Sequence, residues 1–282
     1  MAVTLEYQTW PSADYNWADG TTASKPPQQI QQKLATWVAA VNANAVNATK
    51  QITILKTPSD STLANYIGWA LSIASGASGS TFYASLYSSS TTNINCRFSA
   101  GWTNDGTNGG YGTITGASNF DTSTSWYTSA QTAEFAIATE TAAGEEFFLL
   151  GWRLANNINY SDQLLIFKDI NGEWAAAFSD GGTVVGTFYM PVHTTPQRQY
   201  GCSIDTAWGT QIGYADPLTL TSNGLTGYVP ATGNSFTGSV SAGSPNLFMV
   251  GSTTNYGFGK WGAMANGKAL VCMGYGPFCV LY

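Results

Sequence analysis

The stretch LLIFKDINGEWAAAFSDGGTVVGTFYMP, residues 164–191, decides the fold. Three short apolar runs are divided by Asn171-Gly172 and by Asp180-Gly181-Gly182. Asn, Asp and Gly are the residue types that accept the positive φ of a tight hairpin turn. The runs between them are too short for helices and rich in side chains that pack on a pleated surface. A three-stranded antiparallel meander is therefore expected over residues 164–190.

The same texture extends outward in both directions. STFYASLYSS (80–89), NINCRFSAGW (93–102), YGTITG (111–116), TAEFAIATE (132–140), EEFFLLGWRL (145–154) and NLFMVGS (246–252) are short apolar or alternating runs between Gly- and Asn-rich turns. That is the pattern of an antiparallel sandwich or barrel. No self-similarity at a fixed period points to a solenoid or propeller.

Upstream the periodicity changes. In SKPPQQIQQKLATWVAAV (24–41), Ile30, Leu34, Trp37, Val38 and Val41 fall at helical spacing, with Gln, Lys and Asn opposite. Ser24 is the expected cap, and Pro26 and Pro27 sit where a first helical turn tolerates proline. QITILK (51–56) reads as a short strand closed by Pro58. STLANYIGWALSIAS (61–75) carries Leu63, Tyr66, Ile67, Ala70 and Leu71 at helical spacing and is expected to be helical, weakened by Gly68. Residues 1–23, with Tyr7, Trp10, Tyr15 and Trp17 among acids and turn formers, read as an extended arm. The expected fold is thus mainly β: an antiparallel β-sandwich or barrel-like domain or domains, with an N-terminal extended arm and one amphipathic helix. Three segments are expected: arm and helix over 1–60, a β domain with the meander over 61–190, and a second β region, or a continuation of the first, over 191–282.

Charge is scarce. Of 282 residues only 9% are charged, against a hydrophobic fraction of 44%, where about 25% charged is usual for soluble domains. The net charge of −6, with 10 Lys and Arg in total, argues against a nucleic-acid groove, which needs clustered bases. No run of apolar residues is long enough for a membrane-spanning helix. The start, MAVTLEYQTW, has no basic stretch followed by an apolar core, so no secretory signal is expected. Cys96, Cys202, Cys272 and Cys279 form no CxxC pair and the one histidine is His193. A closed zinc site is not suggested, and free, mostly buried thiols are expected.

Four patterns could carry chemistry. TNDGTNGGYGTITGAS (103–118) has Asn104, Asp105 and Asn108 among glycines, flanked by Trp102 and Tyr111. The spaced acids of a calcium loop are missing. Trp102, Asp105 and Tyr111 have the composition of a glycan contact, but the same residue types make ordinary turns, and the turn is the preferred reading. GFGKWG (257–262) matches GxGxxG, yet that motif needs a strand, a glycine turn, a helix and an acid further on. No acid follows Asp216, so no cofactor is expected. His193 lies in a proline-flanked connection, and GxSxG is absent. A glycosidase needs two carboxylates facing each other across a gap, and Glu134, Glu140, Glu145, Glu146 and Glu173 are the candidates. Glu134 and Glu140 share one strand face, where a solvated face is the simpler reading. No enzymatic activity is expected.

The end of the chain, KALVCMGYGPFCVLY (268–282), is almost wholly apolar. A terminus of this kind belongs in its own domain's sheet or under a neighbour.

Taken together, the start MAVTLEYQTWPSADYNW, the helix SKPPQQIQQKLATWVAAV, the Gly/Ser/Thr/Asn-rich strands after residue 80 and the tail GYGPFCVLY resemble virion structural proteins of tailed bacteriophages, those of marine and cyanobacterial phages in particular. The likeness is one of texture over the whole chain. It implies a non-enzymatic subunit made in the host cytoplasm and built in many copies into a capsid, tail or baseplate. Its partners would be copies of itself and other virion proteins. Trp10, Trp17, Phe278 and Tyr282 are the expected subunit contacts, since aromatics are enriched and Lys, Asp and Glu depleted in such interfaces. The alternative is a glycan-binding β-sandwich that recognises a host surface. Neither reading involves nucleic acid or membrane.

Overall fold

The structure is a computed structural model. It describes residues 3–10, 22–57, 67–74, 81–88, 93–99, 101–103, 113–115, 120–125, 133–154, 157–168, 172–180, 185–190, 197–204, 216–217, 219–220, 228–230, 240–241, 243–249, 261–263, 269–272 and 278–282. Residues 1–8, 134–190 and 198–282 gather into one compact unit, residues 9–133 and 191–197 into another.

The chain begins with β1 (Thr4–Trp10), followed by α1 (Pro26–Asn42), a 3-10 turn (Ala45–Asn47) and β2 (Ile52–Lys56). Next come β3 (Ile67–Ala74), β4 (Thr81–Ser88), β5 (Asn93–Ser99), β6 (Gly101–Thr103), β7 (Thr113–Thr115) and β8 (Phe120–Ser125). The middle of the chain holds β9 (Ala133–Glu140), β10 (Phe147–Leu154), β11 (Asn157–Lys168), β12 (Trp174–Asp180), β13 (Val185–Met190) and β14 (Gln197–Ile204). The last part contains β15 (Asp216–Pro217), β16 (Thr219–Leu220), β17 (Tyr228–Pro230), β18 (Val240–Ser241), β19 (Leu247–Met249), β20 (Trp261–Ala263), β21 (Ala269–Cys272) and β22 (Phe278–Leu281).

The fold is mainly β, as expected, and its strands pair antiparallel in the meander and its neighbours and in the sheet that starts at β2. An eight-stranded sheet runs β1-β9-β10-β11-β12-β13-β14-β17. A five-stranded sheet runs β15-β19-β22-β21-β20, and a second runs β2-β3-β4-β5-β8. Of the N-terminal stretch read as an extended arm, Thr4–Trp10 is a strand beside β9, and residues 11–21 lie outside the described residues.

The meander is present as β11, β12 and β13. Its first turn differs from expectation. A two-residue turn at Asn171-Gly172 would set Lys168 opposite Ala175. The observed register instead sets Lys168 opposite Trp174, one position over. In a strand a one-residue slip exchanges the two faces, so the longer connection decides which side chains meet. Gly172 supplies the left-handed backbone there, at φ 74°.

The deepest packing lies in β10 and β11. Phe147, Phe148, Leu149 and Leu150 are all buried, as are Leu164, Leu165, Ile166 and Phe167. Successive strand residues point to opposite faces, so this part of the sheet is covered on both. That is why EEFFLLGW shows no alternation. The cross-strand pairs Phe147↔Phe167, Phe148↔Ile166 and Leu149↔Leu165 place large side chains against each other. Each buried side chain of this size contributes roughly 1.5–3 kcal/mol.

In the other unit, α1 packs on β2 and β3. Its buried stripe is Ile30, Leu34, Trp37, Val38 and Val41, as the periodicity predicts, with Pro26, Pro27 and Gln31 added. The cap differs from expectation. Lys25, not Ser24, holds the N-cap position, and it makes no side-chain cap bond. Pro26 and Pro27 have no N–H, so two of the orphan donors that a cap serves are missing at the start.

Residues 67–74 correct the helical reading of 61–75. They form β3, paired with β2 on one side and β4 on the other. Leu71 and Ile73 are buried while Ser72 and Ala74 are half-buried, a period of two. The apolar residues fitted both templates, and pairing on both edges selected the strand. Among the described residues, no helix is long and apolar enough to cross a membrane.

Candidate functional site

The most unusual chemistry in the described structure is a cluster of buried polar groups at one end of β9, β10 and β11. Glu140, Glu146, Lys168 and Glu173 are all less than 5% exposed, and Ser244 and Asn246 are buried beside them in the same unit. Charged side chains are almost never buried without partners.

The partners come first from the turn between β9 and β10, residues 141–146. Glu140 Oε1 accepts the backbone N–H groups of Thr141 and Ala142, at 3.1 Å and 3.3 Å. Glu146 Oε2 accepts that of Gly144 at 2.7 Å, and Gly144 takes φ +84°. Carboxylates on either side of one turn thus satisfy amides that no strand partner reaches.

Lys168 closes the neighbouring turn. Its Nζ donates to Gly172 O at 2.9 Å and lies 4.3 Å from the centre of the Trp174 ring. The cation–aromatic contact follows from the register, because Lys168 and Trp174 stand directly opposite. A cation over a desolvated indole is worth on the order of 2 kcal/mol. The backbone joins the two turns, since Lys168 N–H donates to Glu146 O at 2.8 Å.

A distant segment completes the cluster. Gly243 N–H donates to Lys168 O at 2.8 Å. Asn246 Nδ2 donates to Glu140 Oε2 at 3.4 Å, across 106 residues of sequence. Asn246 N–H is in turn held by Ser244 Oγ at 3.1 Å. The arrangement ties the β9–β10 turn, the β11–β12 turn and residues 243–247 together. Glu140 and Glu146 are engaged by the fold's own N–H groups.

This overturns the solvated-face reading of β9. Glu134 is half-buried and Glu140 is interior. Phe135, Ala136, Ile137 and Ala138 are all buried, so both faces of the strand are covered. Glu146 and Glu173 stand out in the sequence only as two carboxylates among five, and nothing there marks Lys168 at all. The available signal is position: each stands where an apolar run meets a turn.

The predicted contact residues fall on different elements. Trp17, Asp105 and Tyr111 lie outside the described residues. Trp10 ends β1, Trp102 is the central residue of β6, and Phe278 opens β22. Tyr282 is 53% exposed. β6 and β7 pair with Trp102 opposite Ile114, and residues 104–112, the stretch read as a turn, lie outside the described residues. Gly262 lies inside β20, where the dinucleotide motif requires a helix to begin. Among the described residues, no group of three or more His, Cys, Asp or Glu is placed to hold a metal ion. Comparison with known protein families, with curated proteins and with solved structures yields no match.

Proposed function

We propose that this chain is a non-enzymatic structural subunit that works by self-association, and that the assembly is a phage particle, as capsid, tail or baseplate component. The observation that carries the reading is where the few charges go. The composition is already poor in them, and Lys56, Lys168, Glu140, Glu146 and Glu173 are buried. These five of the 10 Lys and Arg and 16 Asp and Glu therefore do not serve the surface. Solubility as a free monomer normally relies on a surface rich in Lys, Arg, Asp and Glu. An exterior built from hydroxyls, amides and aromatics suits burial against sister molecules.

The apolar tail no longer adds to this case. β22 lies between β19 and β21 in its own sheet, and Val280 is fully buried. The residues 278–281 thus have an intramolecular reason to be apolar, and Tyr282 is the aromatic that the tail leaves exposed among its described side chains. The virion setting rests on the resemblance in texture alone.

Sedimentation velocity of the purified chain at micromolar concentration tests the reading. Association into discrete oligomers is expected, weakened by Tyr282→Asp if the C-terminal aromatic takes part in the contact. A highly soluble monomer at every concentration overturns it.

A further inference from the structure

We propose that Cys272 and Cys279 are a thiol pair that oxidation converts into a disulfide, locking the last strand into its sheet. The register carries the inference. β21 and β22 are antiparallel, with Leu270 opposite Leu281, Val271 opposite Val280 and Cys272 opposite Cys279. Directly opposed residues of an antiparallel pair have Cα atoms about 4.5 or 5.5 Å apart, according to their place in the hydrogen-bond ladder. A disulfide needs a Cα separation of about 4.4–6.8 Å. Opposed positions also share one face of the sheet.

The other two cysteines have no such placement. Cys96 stands opposite Leu86 and Thr122, and Cys202 opposite Pro230. Sequence spacing alone does not distinguish these cases, because the residues between Cys272 and Cys279 fix neither strand nor register. Pairing of β21 with β22 makes the two cysteines neighbours.

The position gives the bond a purpose. β22 contains nearly the last residues of the chain, yet it is flanked by β19 and β21. Hydrogen bonds to β19 and β21 alone leave such a strand able to separate from its sheet or to exchange with that of another copy. A bond from Cys279 to Cys272 ties β22 covalently to β21. In the step itself, a small-molecule disulfide such as oxidised glutathione is attacked by one protein thiolate, giving a mixed disulfide and one released thiol. The second protein thiolate then displaces the other half. One S–S bond forms in the protein, two protons and two electrons leave its thiols, and the small disulfide is reduced to two thiols.

The test uses the full native chain. It is incubated with oxidised glutathione or with reduced glutathione, then alkylated after denaturation and mapped by peptide mass spectrometry. The expected result in the oxidised sample is a peptide linking Cys272 to Cys279, lighter than the dithiol by two hydrogens. Cys96 and Cys202 are alkylated in both samples. Cys272→Ser should abolish the link. Should that variant fail to fold, the Cys96→Ser, Cys202→Ser double variant should still form it, and the wild-type map stands without any variant. Alkylation of both Cys272 and Cys279 after oxidation overturns the proposal. So does glutathione retained on either residue, or a link from either to Cys96, Cys202 or a second molecule.

Discussion

In the unit that contains β9 to β12, backbone groups left over at strand ends are satisfied by carboxyl side chains and a lysine. In the unit that contains α1 and β2, the same need is met by a neutral amide. Asn42, at the end of α1, donates from Nδ2 to Ile52 O at 2.8 Å and accepts Ile52 N–H on Oδ1 at 3.0 Å. One amide side chain thus takes the place that a neighbouring strand would take at the first residue of β2. Beyond that point β2 has a bulge between Ile54 and Lys56, and Lys56 is buried. Bulges and inward-pointing charges are devices that blunt a sheet edge against pairing with another chain. The difference teaches where each solution belongs. An edge needs only a donor and an acceptor in register, which an amide supplies. A cluster that joins three segments needs acceptors able to take several N–H groups at once, which carboxylates supply.

The sharpest way to break the comparison is to remove Lys168, the cation of the charged cluster. Lys168→Ala deletes the bond to Gly172 O and the contact over Trp174. A hydrogen bond from a charged group contributes about 1.5–3 kcal/mol and the desolvated ring contact about 2 kcal/mol, so a loss of roughly 3–5 kcal/mol is expected. Chemical denaturation should therefore show the unit's transition moved by that amount. A loss below about 1 kcal/mol, the range of exposed pairs, would mean that the cluster is solvated and the comparison void.

The amide plug should be worth less. Asn42→Ala removes two backbone bonds at a half-buried edge, and a cost of about 1–3 kcal/mol is expected. Asn42→Asp sharpens the reading, because the carboxylate keeps an acceptor for Ile52 N–H but has no donor for Ile52 O. If the donor half matters, Asp should rescue little of the loss seen with Ala. An Asn42→Asp chain as stable as the wild type in urea melts would show that only the accepted N–H counts.

The two regions also differ in how far the sequence discloses them. The stripe of α1 was legible because five apolar residues at helical spacing all found the interior. The meander was legible from its turn residues, though the register at Asn171-Gly172 was not, since turn composition names a hairpin without fixing loop length. Residues 67–74 satisfied two periodicities at once, and only pairing with β2 and β4 chose between them. The charged cluster was hidden for a different reason. Glu140 reads as a solvated strand end until Asn246, 106 residues away, is brought against it. No local pattern carries that contact. The edge plug was equally hidden, because Asn42 looks like any polar residue at the end of a helix.

A control within α1 isolates what makes such polar contacts matter. Thr36 Oγ1 donates to Gln32 O at 2.8 Å on the exposed side of the helix, at a distance no longer than the Asn42 bond. Yet the carbonyl it reaches is one that the helix ladder already uses, and solvent is at hand for both groups. Thr is also a poorer helix former than Ala by about 0.5 kcal/mol. Thr36→Ala should therefore leave stability unchanged or raise it by a few tenths of a kcal/mol. Asn42 differs in that it serves backbone groups at a sheet edge, with no second strand to take them. Thermal melts of Thr36→Ala and Asn42→Ala side by side decide the point. A loss at Thr36 as large as that at Asn42 would show that bond length, and not the lack of another partner, sets the cost.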